Sequence, residues 1–149
     1  MAYTLQAIIV PADASERAAQ RELKCVRLSA QGLWMVPLPQ DQIESMGFPS
    51  HPLTGDGETI VGPELDELCR FLSQSGKAAY VEAEFFGGDG TQACALYENG
   101  LPLSEPLVDD EAINHALRWL GVKRSGEYDE FLVAGLGMHR DTEDWLQEG

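Results

Sequence analysis

The chain has 149 residues, 44% hydrophobic and 23% charged, enough apolar mass for a buried core and too much for a largely disordered polymer. Twenty-five acids against ten bases leave a formal charge of −15, divided as −4 over residues 1–77 (ten acids, six bases) and −11 over residues 78–149 (fifteen acids, four bases). A surface of that sign repels nucleic acid and anionic lipid and attracts a basic protein. Residues 4–10 are β-branched and aliphatic and stop at Pro11, which reads as a first strand. Residues 13–24, rich in Ala, Glu, Gln and Arg, form a short helix or an irregular connection. Two apolar runs, 24–29 and 33–38, flank Ala30-Gln31-Gly32 and predict a hairpin, with Pro37 at an edge or a strand exit. A short helix over 40–46 ends at Gly47. Residues 48–62, with Pro49, Pro52, Gly55, Gly57 and Gly62, are the clearest loop, and a loop of that length is functional or mobile. Pro63 suits the first position of a helix whose apolar face is Leu65, Leu68, Cys69 and Leu72, ended by Ser75-Gly76.

The stretch from Ala79 to Gly100, AYVEAEFFGGDGTQACALYENG, is the most patterned. Val81, Ala83 and Phe85 alternate with Tyr80, Glu82, Glu84 and Phe86, which predicts a strand with one drier face and one wet, acidic face. After Gly87-Gly88-Asp89-Gly90 the alternation resumes, with Ala93, Ala95 and Tyr97 against Gln92, Cys94, Leu96 and Glu98. A phosphate-binding loop opens a helix and carries a lysine; here a strand pattern follows, and Glu82, Glu84 and Asp89 would repel the anion. The glycines therefore read as a hairpin bend. Asn99-Gly100 marks a second turn, leading into a short strand with two prolines over 101–108. Asp109-Asp110-Glu111 caps a helix with the stripe Ile113, Ala116, Leu117 and Leu120, and Gly121 takes the left-handed position after it. Residues 123–129 are polar and 131–136 apolar. Asp141 or Thr142 caps a short last helix carrying Trp145 and Leu146. The order of elements predicts a single α+β domain over 1–149, a mostly antiparallel sheet with two or three helices packed on it.

No complete catalytic or cofactor motif is present, so no catalytic residue, metal ligand or cofactor is assigned. Cys25, Cys69 and Cys94 are odd in number, widely spaced and without a C-x-x-C pair, the pattern of free thiols in a reducing, cytoplasmic setting. The first eleven residues lack a basic start and read as a strand, not a signal peptide, and no run of ~18 apolar residues suits a membrane helix. Paired carboxylates carry no signal among 25 acids. His115 reads as a surface residue. His139-Arg140-Asp141 imitates one kinase motif without the others, and Arg140 reads as an anchor for the last helix. Asp129-Glu130-Phe131 reads either as a recognition edge or as the start of a strand with one buried aromatic. Trp34, Trp119 and Trp145 sit near apolar neighbours, with Trp119 at a boundary or an interface.

The segments YVEAEFFGGDGTQACALYENG, INHALRWLGV and DEFLVAGLGMHRDTEDWL, through Gly90, Gln92, Leu120, Gly121, Asp129, Glu130, Phe131, Gly135, Gly137, His139, Arg140 and Trp145, resemble small acidic bacterial proteins. In size and acidity these are similar to immunity proteins of bacterial toxin systems, which bind and block one toxin. The resemblance spans residues 79–146, implies no catalytic residues, and implies a non-enzymatic binder of a basic, toxin-like protein, such as a nuclease toxin. Glu82, Glu84 and Asp89 on the hairpin, with Asp129 and Glu130, are the expected partner-binding residues. Two alternatives stay open: a small enzyme with a site assembled from the 48–62 loop and residues 135–140, and a structural adaptor or homodimer, whose sign would be a contiguous apolar surface patch.

Overall fold

The computed structural model describes residues 3–29, 32–48, 52–54, 61–86, 89–103, 105–139 and 141–146. Its strands are β1 (Tyr3–Pro11), β2 (Val26–Arg27), β3 (Leu33–Pro37), β4 (Lys77–Phe86), β5 (Asp89–Glu98), β6 (Leu101–Pro102) and β7 (Leu107–Val108). Its helices are α1 (Ser15–Gln20), α2 (Gln40–Met46), α3 (Pro63–Leu72), α4 (Ala112–Trp119), α5 (Glu130–Val133) and α6 (Thr142–Trp145). The seven strands make one sheet in the order β2–β3–β1–β4–β5–β6, with β7 also on β5, and every pairing is antiparallel. The fold is α+β, with six α-helices among the described residues where two or three were expected.

β4 and β5 form a hairpin, in register from Lys77 opposite Glu98 to Phe86 opposite Asp89; Gly87 and Gly88, the centre of the predicted bend, lie outside the described residues. Gly90 lies opposite Phe85, and a Cβ there would overlap the Phe85 ring and stand 2.7 Å from the Glu84 carbonyl oxygen. Glycine is thus required at 90 by the close approach of the neighbouring strand. Asn99 and Gly100, both at positive φ, make a two-residue turn, with Glu98 opposite Leu101. The predicted strand over 101–108 is divided into two two-residue pieces, β6 and β7.

Helices cover both faces of the sheet, and this overturns the expectation of a wet face on β4. Successive strand residues point to opposite sides. Leu5, Ala7 and Ile9 of β1 and Ala79, Val81 and Ala83 of β4 join one core with Ile113, Ala116 and Leu117 of α4, Leu136 and Trp145. Ile8 and Val10 of β1, Ala78 and Tyr80 of β4, and Ala93, Ala95 and Tyr97 of β5 join the other, beneath α1, α2 and the Leu65, Leu68, Cys69 and Leu72 face of α3. Residues 78–83 are buried on both sides in consequence. Where β3 ends, a side chain of α6 takes over the β1 backbone: the Gln6 N–H donates to Thr142 Oγ1 at 3.1 Å, and that hydroxyl donates to the Thr4 carbonyl at 3.3 Å.

Candidate interaction surface

Two of the five expected partner-binding acids are interior, a correction in each case. Glu82 has no exposed surface. Its Oε1 accepts the Leu53 N–H and the Tyr80 hydroxyl, both at 2.9 Å. Its Oε2 accepts the Thr54 N–H at 2.9 Å and the Thr54 hydroxyl at 2.6 Å. All four donors are neutral, and three come from residues 53–54, so the carboxylate ties part of the 48–62 loop to the sheet; residues 49–51 and 55–60 lie outside the described residues. Burial, and next the Glu82 carboxylate, push the Tyr80 phenol well above its ordinary value.

Glu130 is 1% exposed and opens α5. Arg118 Nε donates to its Oε2 at 2.9 Å and Arg124 Nε to its Oε1 at 3.1 Å. Burial works to raise this carboxyl, but hydrogen bonds from Arg118, from its own backbone N–H and from Arg124, with the charge of Arg118, outweigh it and hold it below the usual carboxylate range. Asp129 is the N-cap of α5 and accepts the Leu132 N–H at 3.0 Å. Asn114, buried on α4, donates to Asp129 at 3.1 Å and accepts the Phe131 N–H at 2.8 Å. Residues 129–131 are therefore not the start of a strand but the N-terminus of a helix fastened to α4. Glu84 is half-buried on β4, opposite Thr4 and Thr91. Asp89 begins β5, and its side chain lies outside the described residues.

The alternative site gains little. The His139 ring packs edge-to-face on Trp145 at 4.6 Å, and Arg140 lies outside the described residues. Among the described residues no three His, Cys, Asp or Glu side chains are grouped to hold a metal ion. Cys69 and Cys94 are buried and Cys25 half-buried, all free. Burial raises all three thiols, Cys94 to about 11, and for Cys69 the Asp66 carboxylate adds to it. A cleft of about 370 Å³ beside Arg21, Phe48, Glu64 and Glu67 has its arginine bound to Glu67 at 3.0 Å and laid over the Phe71 ring at 4.2 Å. Among the described residues no helix is long and apolar enough to cross a membrane.

The surface feature that stands out is the outer edge of the sheet. Leu101, Leu103, Leu107 and Val108 are 60%, 48%, 37% and 41% exposed, large values for four aliphatic residues within eight positions. Glu105, Asp109, Asp110 and Glu111 are exposed among and beside them. From residue 78 to 117 the sequence holds eight acids and no lysine or arginine. That gap in basic residues was visible in the sequence and is the signal that finds this edge. A second exposed group, Tyr128, Leu132 and Met138, lies around α5.

Neither a protein-family model, nor a curated protein, nor a solved structure matches this chain.

Proposed function

We propose that this chain is a non-enzymatic binding protein for a basic protein partner, in the manner of an immunity or antitoxin protein. The reading is carried by the exposed apolar row Leu101, Leu103 and Leu107, set in a 40-residue segment that has acids and no lysine or arginine. An apolar patch supplies the short-range energy of an interface, and the acids around it steer and select a cationic partner. Glu84 and Asp89 stay in the reading as acids of the β4–β5 hairpin, while Glu82 and Glu130 are withdrawn because they serve the interior. The adaptor or homodimer alternative draws on the same strip.

The test mixes the purified protein with basic proteins encoded beside its gene and follows complex formation by calorimetry and stopped flow. A stable complex is expected, with an association rate that falls about tenfold or more between low and physiological salt. Absence of any complex, or association indifferent to salt, counts against the reading.

A further inference from the structure

Resting on that binding reading, we infer that the β6–β7 edge receives an amphipathic, basic helix of the partner, laid beside α4 on the same face of the sheet. The register fixes which way the leucines point. Leu101 lies opposite Glu98, the Leu103 N–H donates to the Leu96 carbonyl at 2.9 Å, and Leu107 lies opposite Cys94. Residues 94, 96 and 98 alternate along β5 on the face that α4 covers, where Cys94 and Leu96 join the α4 core. The three leucines therefore form one row on that face, at steps of roughly 7 Å along the strand direction.

α4 runs over β4 and β5. Its start is tied to β5 through the Ile113 N–H and the Gln92 side chain, and its end to β4 through the Lys77 ammonium and the Trp119 carbonyl. Neighbouring helices pack about 8–10 Å apart, and two strand spacings are also about 9–10 Å. The place for the next helix of the layer is thus over the edge strands, above the row of leucines. A row of about 14 Å matches the apolar stripe of a helix of two to three turns.

The backbone of the edge argues against an added strand. Because the Leu103 N–H points inward to Leu96, alternation puts position 102 outward, and Pro102 has no N–H to offer there. Each edge piece is two residues long, with Pro106 between them. Charge argues against a second copy. Glu105, Asp109, Asp110 and Glu111 rim the row, and the nearby cations are already engaged: Lys77 with Trp119, Arg70 with Asp66, and Arg124 with Glu130 and Glu111. A lysine- and arginine-flanked helix meets this rim with opposite charge.

The experiment uses fluorescence anisotropy and three labelled peptides of about 18 residues, long enough to hold a helix. One is a leucine–lysine amphipathic helix, the second the same composition scrambled to remove its apolar face, and the third an alternating leucine–lysine strand former. The proteins are the wild type, Leu103→Asn/Leu107→Asn and Asp109→Asn/Asp110→Asn, each checked for folding by circular dichroism. The wild type is expected to prefer the helical peptide over both others by about tenfold or more, a difference of about 1.4 kcal/mol. The leucine variant loses the preference and keeps weak charge-driven binding; the acid variant weakens on all three peptides. A preference that survives the leucine substitutions, equal or tighter binding of the strand former, or a wild-type dimer dispersed by the leucine substitutions overturns the inference. Failure of the wild type to bind any of the basic peptides at low salt overturns the inference and the binding reading together.

Discussion

Glu82→Gln replaces one carboxylate oxygen with an amide nitrogen, and neither orientation of the new side chain suits its surroundings. One oxygen faces the Leu53 N–H and the other the Thr54 N–H. Whichever position becomes NH2 then confronts a backbone donor with a donor. The hydroxyls of Tyr80 and Thr54 can turn to accept; a backbone N–H cannot. A buried donor left unsatisfied costs about 1–3 kcal/mol, and the hydrogen bonds that remain lose the strength a carboxylate acceptor gives, so the total is about 2–4 kcal/mol. For a chain of this length that lowers Tm by roughly 5–12 °C. Tyr80→Phe removes one neutral donor and leaves the carboxylate three, so it should cost less, about 1 kcal/mol. Urea and thermal melts read the global effect, and amide exchange at Leu53 and Thr54 reads release of the loop. A Glu82→Gln protein within about 0.5 kcal/mol of wild type, with unchanged exchange at those two amides, would refute the role assigned to this carboxylate.

Glu130→Gln should destabilise at neutral pH and make little difference in acid. The folded carboxyl is held below its unfolded value, so its contribution is present above about pH 4.3, the ordinary glutamate value, and fades as pH falls through the lower folded value. Paired urea titrations across that range check the sign, and a gap that widens in acid would reverse it. Gly90→Ala should destabilise by about 1–3 kcal/mol through its clash with Phe85, and part of that loss should vanish in a Phe85→Ala background, measured as a double-mutant cycle. Gly135, at φ +83 and with room for a Cβ only 2.5 Å from Ser29 Oγ, should lose stability on change to Ala, with partial relief from Ser29→Gly in a thermal melt. Of the three thiols, only half-buried Cys25 should react with a disulfide reagent in the native protein, and all three should react in denaturant.

Helices α2, α3 and α4 were legible because their ends are chemical: Gly47 at φ 74, Pro63 at the first turn and Gly121 at φ 106. The Asn99-Gly100 turn was legible for the same reason. The burial of Glu82 was not. Period two separates the faces of β4 but cannot say what covers each face, and three of the four donors to Glu82 arrive from a loop 28–29 residues upstream. A carboxylate in water and one encircled by four donors give the same letter. Helix α5 was missed because four residues are one turn, too few for periodicity, and its position is set by Asn114 on another helix. The exposed edge proposed as an interaction surface was half legible. The basic-free stretch and its leucines were on the page, but their exposure depends on how far α4 extends over the sheet, which only the register shows.

That relocation changes which measurement bears on which part of the functional reading. Long-range steering sums over all exposed charge, so it is nearly indifferent to moving the interface from the hairpin tip to the sheet edge. Short-range affinity behaves oppositely, because it is concentrated in the few apolar groups that leave water. Salt dependence therefore tests whether the anionic exterior recruits a partner at all, while substitutions at Leu103 and Leu107 test where the partner sits. A partner whose association rate falls with salt but whose dissociation rate ignores both leucines would keep the charge and move the contact elsewhere on the surface, with Tyr128, Leu132 and Met138 as the next exposed group to change.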